Sequence, residues 1–369
     1  MAGARKRRKK RRRGSPLGRA LRTFYAAVVV LSAVIVTTYA LFQILVPAPT
    51  VETPPTPASD APAENPADNP DTPDIDESTA TPSQQPLERK DQFYTFLLAA
   101  SDQVSGNSDT IMVASYDVPN QKVALVSIPR DTLVNGKYGS HRYYKINSAY
   151  SYGGIDELRA VVADMLGIPI DFYVTVDLKA FVEIVDAVGG VDFYVPVDMN
   201  YDADDQNLHI HYDKGMHYGL TGQQVLEIAR CRKNSDGPGV YPNNVYDVYA
   251  GSGTNREQTQ RELMVAIARK LVSWNSIPKI KEFTEIVGEN VKTNMSASDL
   301  AFFATRAIYV DLDSSVTTAI FPGNGEVSYK GWSWCWQYYP EESLEIINNY
   351  LNPYSTDITM DMTNMFQVK

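Results

Sequence analysis

The sequence predicts an α/β domain whose mixed central sheet is sandwiched by helices (αβα), preceded by one transmembrane helix and a disordered linker. Three observations carry this. Residues 23–46 hold no charged side chain, and residues 47–90 are dense in proline and acid. From Phe93 onward, apolar runs of strand length alternate with helix-length amphipathic ones.

The first 22 residues hold eleven Lys/Arg and no acid, with an unbroken basic run from Arg5 to Arg13. The uncharged segment after it (TFYAAVVVLSAVIVTTYALFQILV) rises about 36 Å as a helix, enough for a ~30 Å hydrocarbon core. A cleaved signal needs an apolar core of only ~7–15 residues, so an uncleaved single-pass anchor is expected. Positive charge stays inside, which makes residues 1–22 a basic cytoplasmic tail and places everything after Pro47 outside. Residues 47–90 contain eleven of the 22 prolines and nine acids, so they read as an extended, self-repelling spacer. Fully extended, it reaches on the order of 130 Å. The folded domain is expected over residues 91–369.

Within it, residues 93–100, 110–116 and 122–128 read as three strands, the last two joined by a turn at Pro119-Asn120. Helices follow at 154–167 and 178–189, the second closed by Gly189-Gly190, with strands at 171–176 and 191–195. Further helices are expected at 221–229, about 255–274, 296–309 and 341–350, and a strand at 316–321. No internal repeat is visible.

Setting aside the tail's eleven positive charges, a net charge of −10 becomes −21 for the rest of the chain. A region this acidic repels phosphate backbones, so no nucleic-acid partner is expected, and any anionic ligand must be met by local arginines or a cation. Asp102 follows the first strand, Asp109 opens the second, and Arg130 and Asp131 follow the third. If these strands run up, down and up, all four residues meet at one end of the sheet, where open α/β sheets place ligands. Two carboxylates on a short loop suit Mg²⁺, although Asp at a strand end is also a common turn former. Arg230 and Arg232 flank Cys231 and, in an extended segment, project from one face. Arg256 and Gln260 are four apart on a helix and share a face. Arginine forks suit phosphate oxygens, yet they also suit the plentiful surface acids.

The chain lacks the P-loop, nucleophile-elbow and His-Glu-x-x-His signatures. His209 and His211 in LHIHY read as lining one strand face rather than as a zinc site, and the rings of GWSWCW (331–336) read as buried. Cys231 and Cys335 are the only cysteines, open to a disulfide or to two free thiols.

In combination, FLLAASD, SDTIMVASYD, KVALVSIPRDT, KINSAYSYGG, VDLKAFVEIVDAVGGVDFYVP and LTGQQVLEIARCRK strongly resemble the LytR-CpsA-Psr family, over about residues 93–271. That resemblance implies a Mg²⁺-dependent phosphotransferase on the outer face of a bacterial cell membrane. It would move a glycopolymer such as teichoic acid or capsule from a polyprenyl pyrophosphate carrier onto a peptidoglycan hydroxyl. It further implies that Asp102 and Asp109 are the metal-side aspartates and that Arg130, Arg230, Arg232, Arg256 and Gln260 bind pyrophosphate. Asp131 would orient Arg130, and Lys145 and Asn147, which match the family's lysine-x-asparagine segment, would join the pyrophosphate-binding set. Two departures stand out: Thr259 replaces the arginine usual before the glutamine, and an insertion (about 234–253) separates the arginine segments. A pyrophosphatase using the same site with water, and a non-catalytic wall-binding or regulatory membrane protein, are the alternatives.

Overall fold

The structure, a computed structural model, describes residues 46–51, 87–101, 108–204, 208–235, 256–272, 291–366 and 368, without the side chains of Ser101 and Asp109. The expected basic tail, nearly all of the expected membrane helix, and residues 52–86 of the spacer lie outside these. Among the described residues no helix is long and apolar enough to cross a membrane. The chain falls into two compact units, Met1–Pro49 with Ala297–Thr305, and Thr50–Ser296 with Arg306–Lys369.

In the larger unit the elements run β1 (Phe93–Ser101), β2 (Ser108–Asp117), β3 (Lys122–Ile128), β4 (Leu133–Tyr138), β5 (His141–Lys145) and α1 (Asn147–Leu166). Next come β6 (Phe172–Asp177), α2 (Leu178–Ala187), β7 (Val191–Val195), β8 (Met199–Ala203), β9 (Leu208–Tyr212) and β10 (Gly215–Leu220). They are followed by α3 (Gly222–Arg230), α4 (Arg256–Leu271) and β11 (Val291–Thr293). Helix α5 (Ala297–Ala307) belongs mostly to the smaller unit, where Phe302 and Phe303 meet edge to face at 5.4 Å. The chain ends through β12 (Val316–Ile320), β13 (Gly323–Tyr329), β14 (Trp332–Tyr338) and α6 (Pro340–Ile346), which continues as a π-helical turn, Ile347–Leu351.

Six strands form the central sheet in the order β11-β6-β1-β2-β3-β12. β1–β2, β2–β3 and β6–β11 are antiparallel, whereas β1–β6 and β3–β12 are parallel. The sheet is mixed, as the sequence predicts. One face carries Leu97, Ala99, Ile111, Val113, Val126 and Ile128, the period-2 positions of three strands. Against it packs α1, whose Leu158, Val162 and Leu166 recur at helical spacing and are fully buried. Each such side chain contributes about 2 kcal/mol by leaving water. A second core joins α2, α3 and α4 to β7–β10 through residues such as Val185, Phe193, Ile210, Ile228 and Leu263.

Local signals explain the helix ends that matter for the site. Asp177 caps α2 by accepting from Ala180 N at 2.7 Å, and Gly189 and Gly190 leave it at positive φ (85° and 81°). Thr221 and Gln224 form a capping box that starts α3. A Cβ on Gly222 would stand 2.1 Å from Val182 O, so only glycine lets α3 approach α2 this closely.

Several expectations need correction. Helix α1 begins at Asn147, not Gly154; Gly154 is a non-helical kink (φ 68°, ψ −153°) joining two helical pieces. The hairpins β4–β5 and β13–β14 were not expected, because LVNGKY and GNGEVSY break the apolar alternation with Asn and Gly. Packing already includes Leu87, ahead of the expected start at residue 91. Leu87 joins the first core, Lys90 N donates to Pro353 O at 2.8 Å, and Arg89 makes a buried ion pair with Asp171. Trp332 and Trp334 are 52% and 71% exposed, against the expectation of buried rings. Cys231 and Cys335 are free thiols, both fully buried.

Candidate functional site

The register of the central strands defines one polar edge. Ala100 lies opposite Thr110, and Ile111 opposite Ile128, so β1 ends, β2 begins and β3 ends together. The up-down-up arrangement therefore brings the backbone of Asp109 to the edge from which Arg130 and Asp131 emerge. Asp102 lies outside the described residues, as does the side chain of Asp109.

Arg130 and Asp131 sit at the tip of a tight turn. Thr132 closes it by donating its N–H (2.9 Å) and its hydroxyl (2.6 Å) to Pro129 O. Three further backbone bonds fix the turn: Asn147 N to Arg130 O (3.2 Å), Ile146 N to Thr132 O (2.9 Å) and Trp336 N to Asp131 O (2.9 Å). The Asp131 carboxylate is shared by two cations, with Lys145 Nζ 3.0 Å from Oδ1 and Arg130 Nε 3.5 Å from Oδ2. Lys145 Nζ also donates to Ser333 O (3.0 Å) and approaches Trp334 O (3.5 Å). Asn147 is buried. In this arrangement Lys145 and Asn147 brace the turn that presents Arg130.

Gln260 of α4 reaches the same edge and meets the end of α3 that carries Arg230, while Arg232 follows α3 and Arg256 opens α4. Helix α3 continues through Arg230, so this arginine is helical rather than extended. The chain turns out only at Cys231 (φ −61°, ψ 125°), whose thiol burial pushes up to about 12. Arg230 is half-buried and Arg232 exposed. Arg256 opens α4, 3.6 Å from Glu257. Gln260, one turn on, donates to Ala229 O at 3.1 Å, and Thr110 Oγ1 lies 3.5 Å from its Oε1. Gln260 thus ties the end of α3 to the start of β2. Thr259 is buried.

Sequence reasoning missed Arg261. Its Nη1 donates to Ser127 Oγ at 3.0 Å, and the residue is 5% exposed. Nε has no hydrogen-bond partner among the described residues. Burial lowers its affinity for a proton, an effect that Glu257 and Glu262 oppose. Arg261 lies about 200° around α4 from Leu263, on what reads as the solvent face. That face instead meets the sheet, so periodicity alone hides it.

His209 and His211 stand on the exposed face of β9, as expected. His209 Nδ1 lies 2.7 Å and His211 Nε2 3.1 Å from Asp202 Oδ1. No group of three or more His, Cys, Asp or Glu able to hold a metal occurs among the described residues.

The polar edge thus joins a braced Arg-Asp turn, two helix ends carrying arginines and a buried guanidinium, an arrangement suited to a multiply charged anion. The family model described as the LytR_cpsA_psr family matches residues 64–351. A Bacillus anthracis relative, the polyisoprenyl-teichoic acid–peptidoglycan teichoic acid transferase TagU, is 32% identical over 247 residues, 67% of this chain and 73% of its own. The similarly named TagV of Bacillus subtilis is 37% identical over 199 residues, 53% of this chain and 46% of its own. Among solved structures, that of Bacillus subtilis TagV superposes with a TM-score of 0.55 at 25% identity, covering 69% of this chain and 94% of its own. A Listeria innocua protein does so at 0.54 and 27%, covering 73% and 100%.

Proposed function

The chain belongs to the LytR_cpsA_psr family, and from that premise we propose that it moves an anionic glycopolymer from a polyprenyl pyrophosphate carrier onto peptidoglycan. The observation that carries this reading is the Arg130–Asp131 turn, held by Lys145 at the sheet edge where Gln260 ties the end of α3 to the start of β2. Such an edge meets a pyrophosphate in a chain whose overall charge repels anions.

In the proposed reaction, the pyrophosphate lies among Arg130, Arg230, Arg232 and Arg256, with Gln260 beside it. An acceptor hydroxyl oxygen bonds to the sugar-side phosphorus as that phosphorus releases the bridging oxygen. The leaving polyprenyl phosphate keeps the electron pair, and the hydroxyl proton passes to Asp102, Asp109 or solvent. The arginines stabilise charge as it builds on the leaving group. Asp102 and Asp109 would supply the hard oxygen donors that Mg²⁺ takes, and the bound ion would neutralise phosphate charge. The uncharged segment 23–46 anchors the enzyme in the bilayer that holds the prenyl chain, and the acidic spacer gives it reach toward the wall.

The test uses the full chain in detergent with a polyprenyl pyrophosphate-linked glycan and Mg²⁺, with and without peptidoglycan. Glycan bonded to peptidoglycan is the expected product. Glycan phosphate released to water even with acceptor present identifies a pyrophosphatase. Neither product overturns the enzyme reading.

A further inference from the structure

The hairpin β13–β14 carries a side chain that folding alone does not explain. Between the pairs Tyr329–Trp332 and Val327–Cys335, β14 advances three residues while β13 advances two. The extra residue makes a β-bulge, and within it Trp334 has φ 58°. That conformation favours glycine and strains an aromatic residue. Trp334 is nevertheless the second most exposed large hydrophobic residue among those described, at 71%, with Trp332 at 52% two positions away. An indole that is both strained and left in water gives the fold nothing, and strain of this kind gathers at ligand sites.

The hairpin also packs against the Arg130–Asp131 turn. Its tip turns through Lys330 and Gly331 at positive φ (46° and 85°), and Tyr329 packs edge to face on Tyr144 at 5.3 Å. Lys330 Nζ sits 4.8 Å over the Tyr144 ring. The carbonyls of Ser333 and Trp334 face Lys145 Nζ, and Trp336 N bonds Asp131 O. The backbone that presents the indole is therefore the same backbone that fixes the Arg130–Asp131 turn.

We propose that Trp334, with Trp332 beside it, is a stacking surface for the pyranose ring attached to the donor's pyrophosphate. This rests on the pyrophosphate reading of the site. The apolar C–H face of a pyranose matches an indole, whose flat, rigid surface costs little entropy to order. The donor's sugar fits best because it stays bonded to the attacked phosphorus throughout the reaction. The acceptor must arrive and the prenyl phosphate must leave, whereas this ring can rest on a fixed surface. Lys330 at the hairpin tip adds an exposed cation suited to the polymer's further phosphates.

The test compares binding of geranyl pyrophosphate and geranyl pyrophosphoryl-N-acetylglucosamine to the full chain, as wild type, Trp334→Gly and Trp334→Phe. Glycine relieves the backbone strain, so the fold is retained. Wild type should prefer the glycosylated probe. Trp334→Gly should lose roughly three- to tenfold of that preference with geranyl pyrophosphate affinity unchanged, and Trp334→Phe should keep most of it. An unchanged preference in Trp334→Gly overturns the inference, as does a wild type without preference. It is also overturned if the variant instead loses only muropeptide binding, or only binding to vesicles free of glycolipid. If wild type binds neither probe, the pyrophosphate reading itself has failed.

Discussion

Lys145 and Asp131 form the brace of the site: Nζ lies 3.0 Å from Oδ1, and the same ammonium reaches the carbonyls of Ser333 and Trp334. Its donors are thus directed at the protein, and the cation acts on substrate through the turn it holds. Lys145→Met should lower kcat/KM for transfer about 10- to 100-fold, the range for losing a bond to a charged group. Steady-state kinetics with the lipid-linked donor check this. An undiminished rate would remove Lys145 from the account.

Arg261 is a buried guanidinium that makes no salt bridge among the described residues: Nη1 donates to Ser127 Oγ, and Nε has no partner there. A buried charge without a direct ion pair costs stability, which Glu257 and Glu262 offset only in part, and an anion at the sheet edge would offset more of that cost. Arg261→Met should therefore leave the melting temperature equal or higher while weakening pyrophosphate binding by roughly tenfold. Calorimetry and a binding titration on the same sample separate the two effects.

Arg89 and Asp171 are 6% and 3% exposed, and Thr95 N also donates to Asp171 Oδ2 at 2.9 Å. Removing one partner leaves the other buried and unpaired, so Arg89→Ala should cost about 3–5 kcal/mol in urea unfolding. A chain starting at residue 91 should lose a comparable amount, whereas one starting at Leu87 should not.

The hydrogen bond to Asp202 raises the His209 pKa above its usual 6.5, and that from His209 lowers Asp202 below 3.8. A raised histidine stabilises the fold fully below its unfolded pKa, and that contribution is lost as pH rises through the folded value. A depressed aspartate contributes above its unfolded pKa and fails as pH falls through the folded one. The β8–β9 hairpin should be tightest between these limits. NMR titration should show His209 above 6.5, returning toward it in Asp202→Asn.

Much of this was legible in the sequence. Strands β1–β3 announce themselves by alternation, and their antiparallel order alone carries Asp109 and Arg130 to one edge. Arg256 and Gln260 share a helix because their spacing requires it. What stayed hidden depends on contacts between distant segments. The bracing role of Lys145 needs hairpin β13–β14, contributed from nearly two hundred residues later. Arg261 faces a sheet that periodicity cannot see. GWSWCW suggests a core because tryptophan usually buries, yet Trp332 and Trp334 stand exposed on hairpin β13–β14.

The central claim is that the Arg130–Asp131 turn binds pyrophosphate. Titrating geranyl pyrophosphate into full-length wild type and Arg130→Ala tests it most directly, since the turn is held by backbone bonds that alanine keeps. The account predicts an affinity at least about tenfold weaker, with an unchanged melting temperature. Equal affinity in the two proteins would contradict it.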